Sequence, residues 1–188
     1  MAKIRTFICF ELPDAVRQSL AQLQDNLKRH GKGVRWVRPA GIHLTLKFLG
    51  DVDEKQLPDI VSVVRKASEP YAPIKIHLYG TGAFPNLHQP KVYWIGVEEA
   101  ADLIKIQSDL ENELAPLGFP KEKRQFSPHL TLGRVKSSDG LKAITAALEK
   151  EALPRMSFTA NEIIVMQSQL APGGAVYSAL ANIALKKN

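Results

Sequence analysis

Apolar positions along this chain switch between two spacings, and each switch marks the edge of an element. Residues 4–11, Ile-Arg-Thr-Phe-Ile-Cys-Phe-Glu, are dense in β-branched and aromatic side chains and read as a buried strand. Pro13 and Asp14 then open a helix in which Val16, Leu20, Leu23 and Leu27 recur at helical spacing, with Gly31 as its natural stop. A short strand at 34–37 and a longer one at 42–49 follow. A second helix over about 54–67 carries Leu57, Ile60, Val61 and Val64 on its apolar stripe, with Pro58 blurring its start. Residues 74–79 and 92–97 are strand-like, and a third helix over about 101–117 aligns Leu103, Ile106, Leu110 and Leu114 before Gly118. The remainder predicts a strand at 127–135, a helix near 141–150, and strands at 156–159, 162–168 and 175–185. Ala171-Pro172-Gly173-Gly174 forms the turn between the last two.

Within this pattern one tetrapeptide occurs twice, His43-Leu44-Thr45-Leu46 and His129-Leu130-Thr131-Leu132. On a strand, alternate side chains share a face, so each histidine sits beside its threonine while the leucines face the other way. The surroundings repeat as well. A helix, a glycine, a motif strand and a further helix precede a strand in both halves, with Gly31 and Gly118 in matching places. This order predicts an α+β fold of two duplicated, intertwined β/α lobes related by a pseudo-twofold axis. Antiparallel-rich sheets would flank a central cleft, with helices outside and residues 1–188 forming a single domain. Such an axis brings the two histidines together.

Composition narrows the class. Hydrophobic residues make up 45% of the 188 positions and charged residues 23%, the mix of a globular protein. A formal charge of +6 suits a phosphate-rich partner, and also serves solubility alone. The single cysteine, Cys9, lies among apolar neighbours and reads as a core residue rather than a metal ligand. No run reaches the roughly 20 apolar residues needed to cross a bilayer, and the first residues lack a signal peptide's apolar stretch. A cytoplasmic protein, and a monomer, is the expectation.

Paired histidines suit phosphodiester chemistry because an unperturbed imidazole titrates near pH 6.5, so one ring can be neutral while the other is charged. The neutral ring removes a proton from an attacking hydroxyl, and the cation protonates the departing oxygen. Threonine hydroxyls can donate to the non-bridging oxygens. Lys47 falls on the face of Thr45 by simple alternation, as a further cation or as a solvated surface lysine. His30, His77 and His88 have no threonine two residues on and read as structural or exposed.

With these motifs the chain resembles the 2H phosphoesterase superfamily, in its bacterial and archaeal group of RNA 2',3'-cyclic phosphodiesterases or 2'-5' RNA ligases. The resemblance spans nearly the whole chain. It rests on residues 5–13, on His43–Gly50 with Phe48-Leu49-Gly50 after the motif, on Phe126–Arg134, and on Ser168, Gly174 and Tyr177 near the end. It implies metal-independent opening of a terminal RNA 2',3'-cyclic phosphate to a 2'-phosphate, with no cofactor. His129 would be the proton acceptor and His43 the proton donor, with Thr45 and Thr131 on the phosphate. A reverse reaction would give 2'-5' RNA ligation. Arg134 is the implied extra cation, yet alternation places it opposite His129, so it reaches phosphate only through a twist, a bulge or the strand end. Phe10, Phe48 and Tyr177 are candidates to stack on a base, or members of the core. The implied partners are RNA with 2',3'-cyclic phosphate or 2'-phosphate ends, tRNA fragments and small nucleotides included, and no membrane. Competing readings are a metal-dependent phosphohydrolase, a cyclic phosphodiesterase on a small ADP-ribose cyclic phosphate, and a non-catalytic RNA-end binding module.

Overall fold

The computed structural model describes residues 3–98, 101–150, 155–172 and 174–186. Among them the chain runs β1 (Lys3–Glu11), α1 (Asp14–Lys28), β2 (Val34–Trp36), β3 (His43–Asp53), α2 (Leu57–Ser68), β4 (Ile74–Phe84), β5 (Val92–Val97), α3 (Ala101–Leu114), β6 (His129–Val135), α4 (Leu141–Lys150), β7 (Met156–Ala160), β8 (Glu162–Ala171) and β9 (Gly174–Ala184). The predicted order is therefore the observed order. Gly173, part of the predicted turn, lies outside the described residues.

Three strands run longer than the sequence pattern suggests. Gly50-Asp51 resembles a turn, but β3 continues through it to pair Asp53 with Lys3. In β4, Gly80 adopts a φ of 65° inside an irregularity between Tyr79 and Thr81, and the strand resumes to Phe84. Glycine marks a bulge there rather than an end. β8 likewise continues to Ala171, paired with β9.

All strand pairs are antiparallel and form two sheets, β3-β1-β8-β9 and β2-β6-β5-β4-β7. Superposing the motif strands in order matches β3-β1-β8-β9 with β6-β5-β4-β7 and leaves β2 as an extra edge strand beyond β6. The helices cross over. α1 leaves the first sheet but lays Gln24 against β6 of the second, donating to the Leu132 carbonyl at 2.9 Å. α3 leaves the second sheet but sets Glu111 against Lys47 of β3 in the first. α4 joins the second sheet through Thr145, whose hydroxyl meets that of Tyr93 at 2.6 Å.

One continuous core fills the space between helices and sheets. Leu44, Leu46, Leu130 and Leu132 all belong to it and are at most 3% exposed. Burying each contributes about 1.5–3 kcal/mol, so the motif leucines hold the strands that display the histidines. Phe7, Cys9, Ile164 and Met166 form a second, smaller cluster with Tyr177 packed on it. Their neighbours Ile8, Phe10, Ile163 and Val165 belong to the main core, so the small cluster occupies the opposite face of the four-stranded sheet.

Candidate active site

The two motif strands share one defect in one place. Opposite β3, Cys9 pairs with Thr45 and Ile8 with Lys47, so Leu46 is an extra residue without a partner. Opposite β6, Trp94 pairs with Thr131 and Tyr93 with Gly133, which leaves Leu132 extra in the same position. A bulge of this kind shifts every later side chain to the other face of the pleat. Leu46 and Lys47 both point into the core, as Leu132 and Gly133 do, and the next residues, Phe48 and Arg134, emerge on the histidine face. The bulge is the route by which Arg134 joins His129 and Thr131.

The same shift overturns the placement of Lys47. Its ammonium is buried in an ion pair with Glu111 at 2.5 Å and donates to the Pro120 carbonyl at 3.0 Å. Glu111 also accepts from Gln107 Nε2 and from the backbone N–H of Glu122, both at 3.1 Å. Lys47 is a bolt between β3, α3 and the segment leading to His129, not a phosphate ligand. Phe10 is corrected as well: it is fully buried in the main core and has no face to offer a base.

His43 is walled in by aromatic rings. Phe7 stacks on it with centroids 4.5 Å apart, and Tyr177 meets it edge-on at 5.1 Å. Tyr177 in turn abuts Gly41, where an added Cβ would come within 2.9 Å of the ring. Burial pushes the His43 imidazole down to about 4 from the ordinary 6.5; its hydrogen bond to the Gly41 backbone opposes this, and the Arg17 charge adds to the fall. His129 is the more open of the two. Its Nδ1 donates to the Ser127 carbonyl at 2.7 Å, which leaves Nε2 with the free lone pair. Phe84 touches it edge-on at 4.9 Å. Gly41 and Ser127 each lie two residues before their histidine, so the anchoring bonds repeat like the bulges.

Neither Thr45 nor Thr131 has a hydrogen-bond partner for its hydroxyl among the described residues. β3 and β6 pack against each other. Tyr177 ties the halves together. Burial raises its phenol above the ordinary value, while the charges of Arg134 and Arg5 pull it back down. Arg134 of one sheet is therefore near enough to the Tyr177 phenol of the other for its charge to act there. Phe48 is 59% exposed, its ring 5.9 Å from that of Phe7. Cys9 lies beneath, and burial pushes its thiol up, which makes it an inert core group. His30, His77 and His88 are exposed and stand apart from this group.

Several contributing residues escape a reading by motif. Phe7 sits in an apolar run where both faces are buried, so nothing marks the face it takes. Gln24 and Glu111 do leave a trace, each being a polar residue on the otherwise apolar face of a helix. Among the described residues no group of three or more His, Cys, Asp or Glu side chains is arranged to hold a metal ion, and no helix is long and apolar enough to cross a membrane.

Comparison with known proteins adds an independent line. Residues 12–171 match the model of the 2'-5' RNA ligase superfamily. The chain is 36% identical over 179 residues to the RNA 2',3'-cyclic phosphodiesterase of Methanothermobacter thermautotrophicus, covering 94% of this chain and 96% of that protein. It is 35% identical over 178 residues to the protein of the same name from Methanocaldococcus jannaschii, covering 94% and 98%. Its fold is similar to that of TT0787 from Thermus thermophilus, with a TM-score of 0.82, 28% identity, and 98% and 99% of the two chains covered. It is also similar in fold to Escherichia coli LigT, with a TM-score of 0.77 over both whole chains at 24% identity.

Proposed function

Because the chain belongs to the 2'-5' RNA ligase superfamily, we propose that it is an RNA 2',3'-cyclic phosphodiesterase that opens the cyclic phosphate to a 2'-phosphate with two histidines and no metal. The observation that carries this reading is the duplicated bulge: each motif strand keeps its histidine and threonine on one face, and in β6 the slip turns Arg134 to that face. The formal charge of +6 fits an RNA substrate.

In this scheme His129 Nε2 takes a proton from water, and the water oxygen attacks phosphorus. The bond from phosphorus to O3' breaks, and His43 gives its proton to O3'. Thr45, Thr131 and Arg134 donate to the non-bridging oxygens, where charge builds up in the transition state. A 5'-hydroxyl in place of water, attacking in the same direction, forms a 2'-5' bond. His43 carries a condition of its own. Burial keeps it neutral in the free site at neutral pH, so it becomes a donor only when the phosphate anion beside it favours the charged ring. Substrate binding and proton uptake are then one event.

The test uses RNA with a 2',3'-cyclic end. Wild type should release a 2'-phosphate end, while His43→Ala and His129→Ala each lose about 10²–10⁴ in rate, the usual span for a general acid or base. A 3'-phosphate product would overturn the roles. Activity lost to chelator and restored by added metal would overturn metal independence, and tight binding without turnover in wild type would leave only a binding module.

A further inference from the structure

We infer that a hollow beside His129 binds a second nucleoside, the one whose 5'-oxygen enters or leaves phosphorus. The inference rests on the roles proposed above for His43 and His129. The hollow measures about 250 Å³ and is lined by Tyr79, Gly80, Trp94, Gly96, Pro128 and His129 among others. On the same measure a water molecule needs only about 10–15 Å³, so the hollow has room for far more than the water of hydrolysis.

In-line displacement places the entering and leaving oxygens on opposite sides of phosphorus. With His43 serving O3', the ribose and base of the cyclic end lie on the side of Phe7, Phe48 and Tyr177. The entering oxygen then lies on the side of His129. For water, nothing follows that oxygen. For a 5'-hydroxyl, a whole nucleoside does, and the hollow is where it must go.

The walls fit that occupant. The Trp94 ring lies so close over Gly82 that an added Cβ there would come within 2.3 Å of it, and a Cβ on Gly96 would meet the Tyr79 carbonyl at 2.5 Å. Gly82 thus leaves the room that the indole fills, and Gly96 lets β5 pass close to the Tyr79 carbonyl. Trp94 Nε1 is buried and has no hydrogen-bond partner among the described residues. The indole therefore offers a base its ring face in the hollow rather than a hydrogen bond. Tyr79 stands 72% exposed at the rim, on the bulge made by Gly80. An exposed aromatic ring beside a flat indole is a stacking platform for a base.

The bond changes balance as in hydrolysis. His129 accepts the 5'-hydroxyl proton, a bond from phosphorus to O5' forms, the bond to O3' breaks, and O3' takes the His43 proton. The product is a 2'-5' diester in which each nucleoside lies against its own aromatic wall.

The experiment supplies an RNA donor with a 2',3'-cyclic end together with an unphosphorylated 5'-hydroxyl dinucleotide and measures the ratio of joined product to 2'-phosphate. The ratio should rise with dinucleotide concentration and saturate. Tyr79→Ala should lower it about fivefold or more, the lower range for the loss of one base–aromatic stack, and Trp94→Phe should lower it too. A ratio that climbs linearly without saturating, or stays at the wild-type value in Tyr79→Ala, overturns the inference while leaving the hydrolytic reading intact. Absence of hydrolysis in wild type overturns both. Fluorescence gives a readout apart from turnover. The chain has two tryptophans, so Trp36→Phe leaves Trp94 as the reporter. The dinucleotide should quench its emission, and unchanged emission at saturating dinucleotide counts against the site.

Discussion

Replacing His43 with glutamine removes a group that folding obliges to give up its proton. The ring titrates near 6.5 in the unfolded chain and is driven down to about 4 by burial in the native site. The native state thus binds fewer protons than the unfolded state between these values, and acid favours unfolding. At pH 8 both states hold the ring neutral and the penalty is absent. It grows as pH falls through 6.5 and levels off below about 4. At pH 5 it amounts to about 2 kcal/mol, from the ratio of the two protonation terms. For a chain of this size each kcal/mol shifts the melting temperature by roughly 2–4 °C, so the penalty is worth about 4–8 °C. Thermal unfolding of wild type and His43→Gln at pH 8 and pH 5 isolates it, because every other titrating group cancels in the double difference. Wild type should lose that much more than the variant on acidification. Adding phosphate at pH 5 should shrink the gap, since an anion in the site restores the favourable charge. Parallel pH curves for the two proteins would refute the reasoning.

The remaining predictions address the supports. Lys47→Met strands Glu111 as a buried charge and should cost about 3–5 kcal/mol in urea unfolding, with Lys47→Met/Glu111→Leu regaining most of it; a cost below about 1 kcal/mol, the level of an exposed pair, would show that the pair holds nothing. Gln24→Ala removes donors to the carbonyls of Val37 and Leu132 and should cost about 1–2 kcal/mol. Since Leu132 is the bulged residue, KM for a cyclic-phosphate RNA should rise with it; unchanged kinetics would separate the helix contact from the aim of Arg134. Arg134→Ala should raise that KM roughly 10–100-fold, as expected for losing a charge-assisted bond. The same variant should push the Tyr177 phenol further up, because the guanidinium pulls it down; ultraviolet titration of phenolate absorbance reads this, and an unmoved phenol would contradict that proximity.

The elements were legible because burial imposes the two spacings directly on the sequence, and the histidines because their repetition stands out against any single amphipathic strand. The faces of Lys47, Phe48 and Arg134 were not legible. A bulge is fixed by register against β1 and β5, and neither His43–Phe48 nor His129–Arg134 records its partner's register. Phe10 and Phe7 look alike in sequence, one apolar residue among others, yet one lies in the core and the other against His43. When both faces of a strand are buried, alternation no longer distinguishes them. The crossing of α1 and α3 to opposite sheets is a long-range choice. The polar interruptions at Gln24, Gln107 and Glu111 are the trace that these helices grip something other than leucine.

The paired bulges also have a consequence for direction. Histidine, threonine and the surplus leucine are the same letters in the same order on both strands. The first outward-facing residue after each bulge ends the equivalence, with a phenyl ring on one side and a guanidinium on the other. Ring and charge favour different ends of a nucleotide. Under the proposed function, the polarity of a bound RNA would be decided one step beyond the duplicated letters, by what each strand shows once its pleat has slipped.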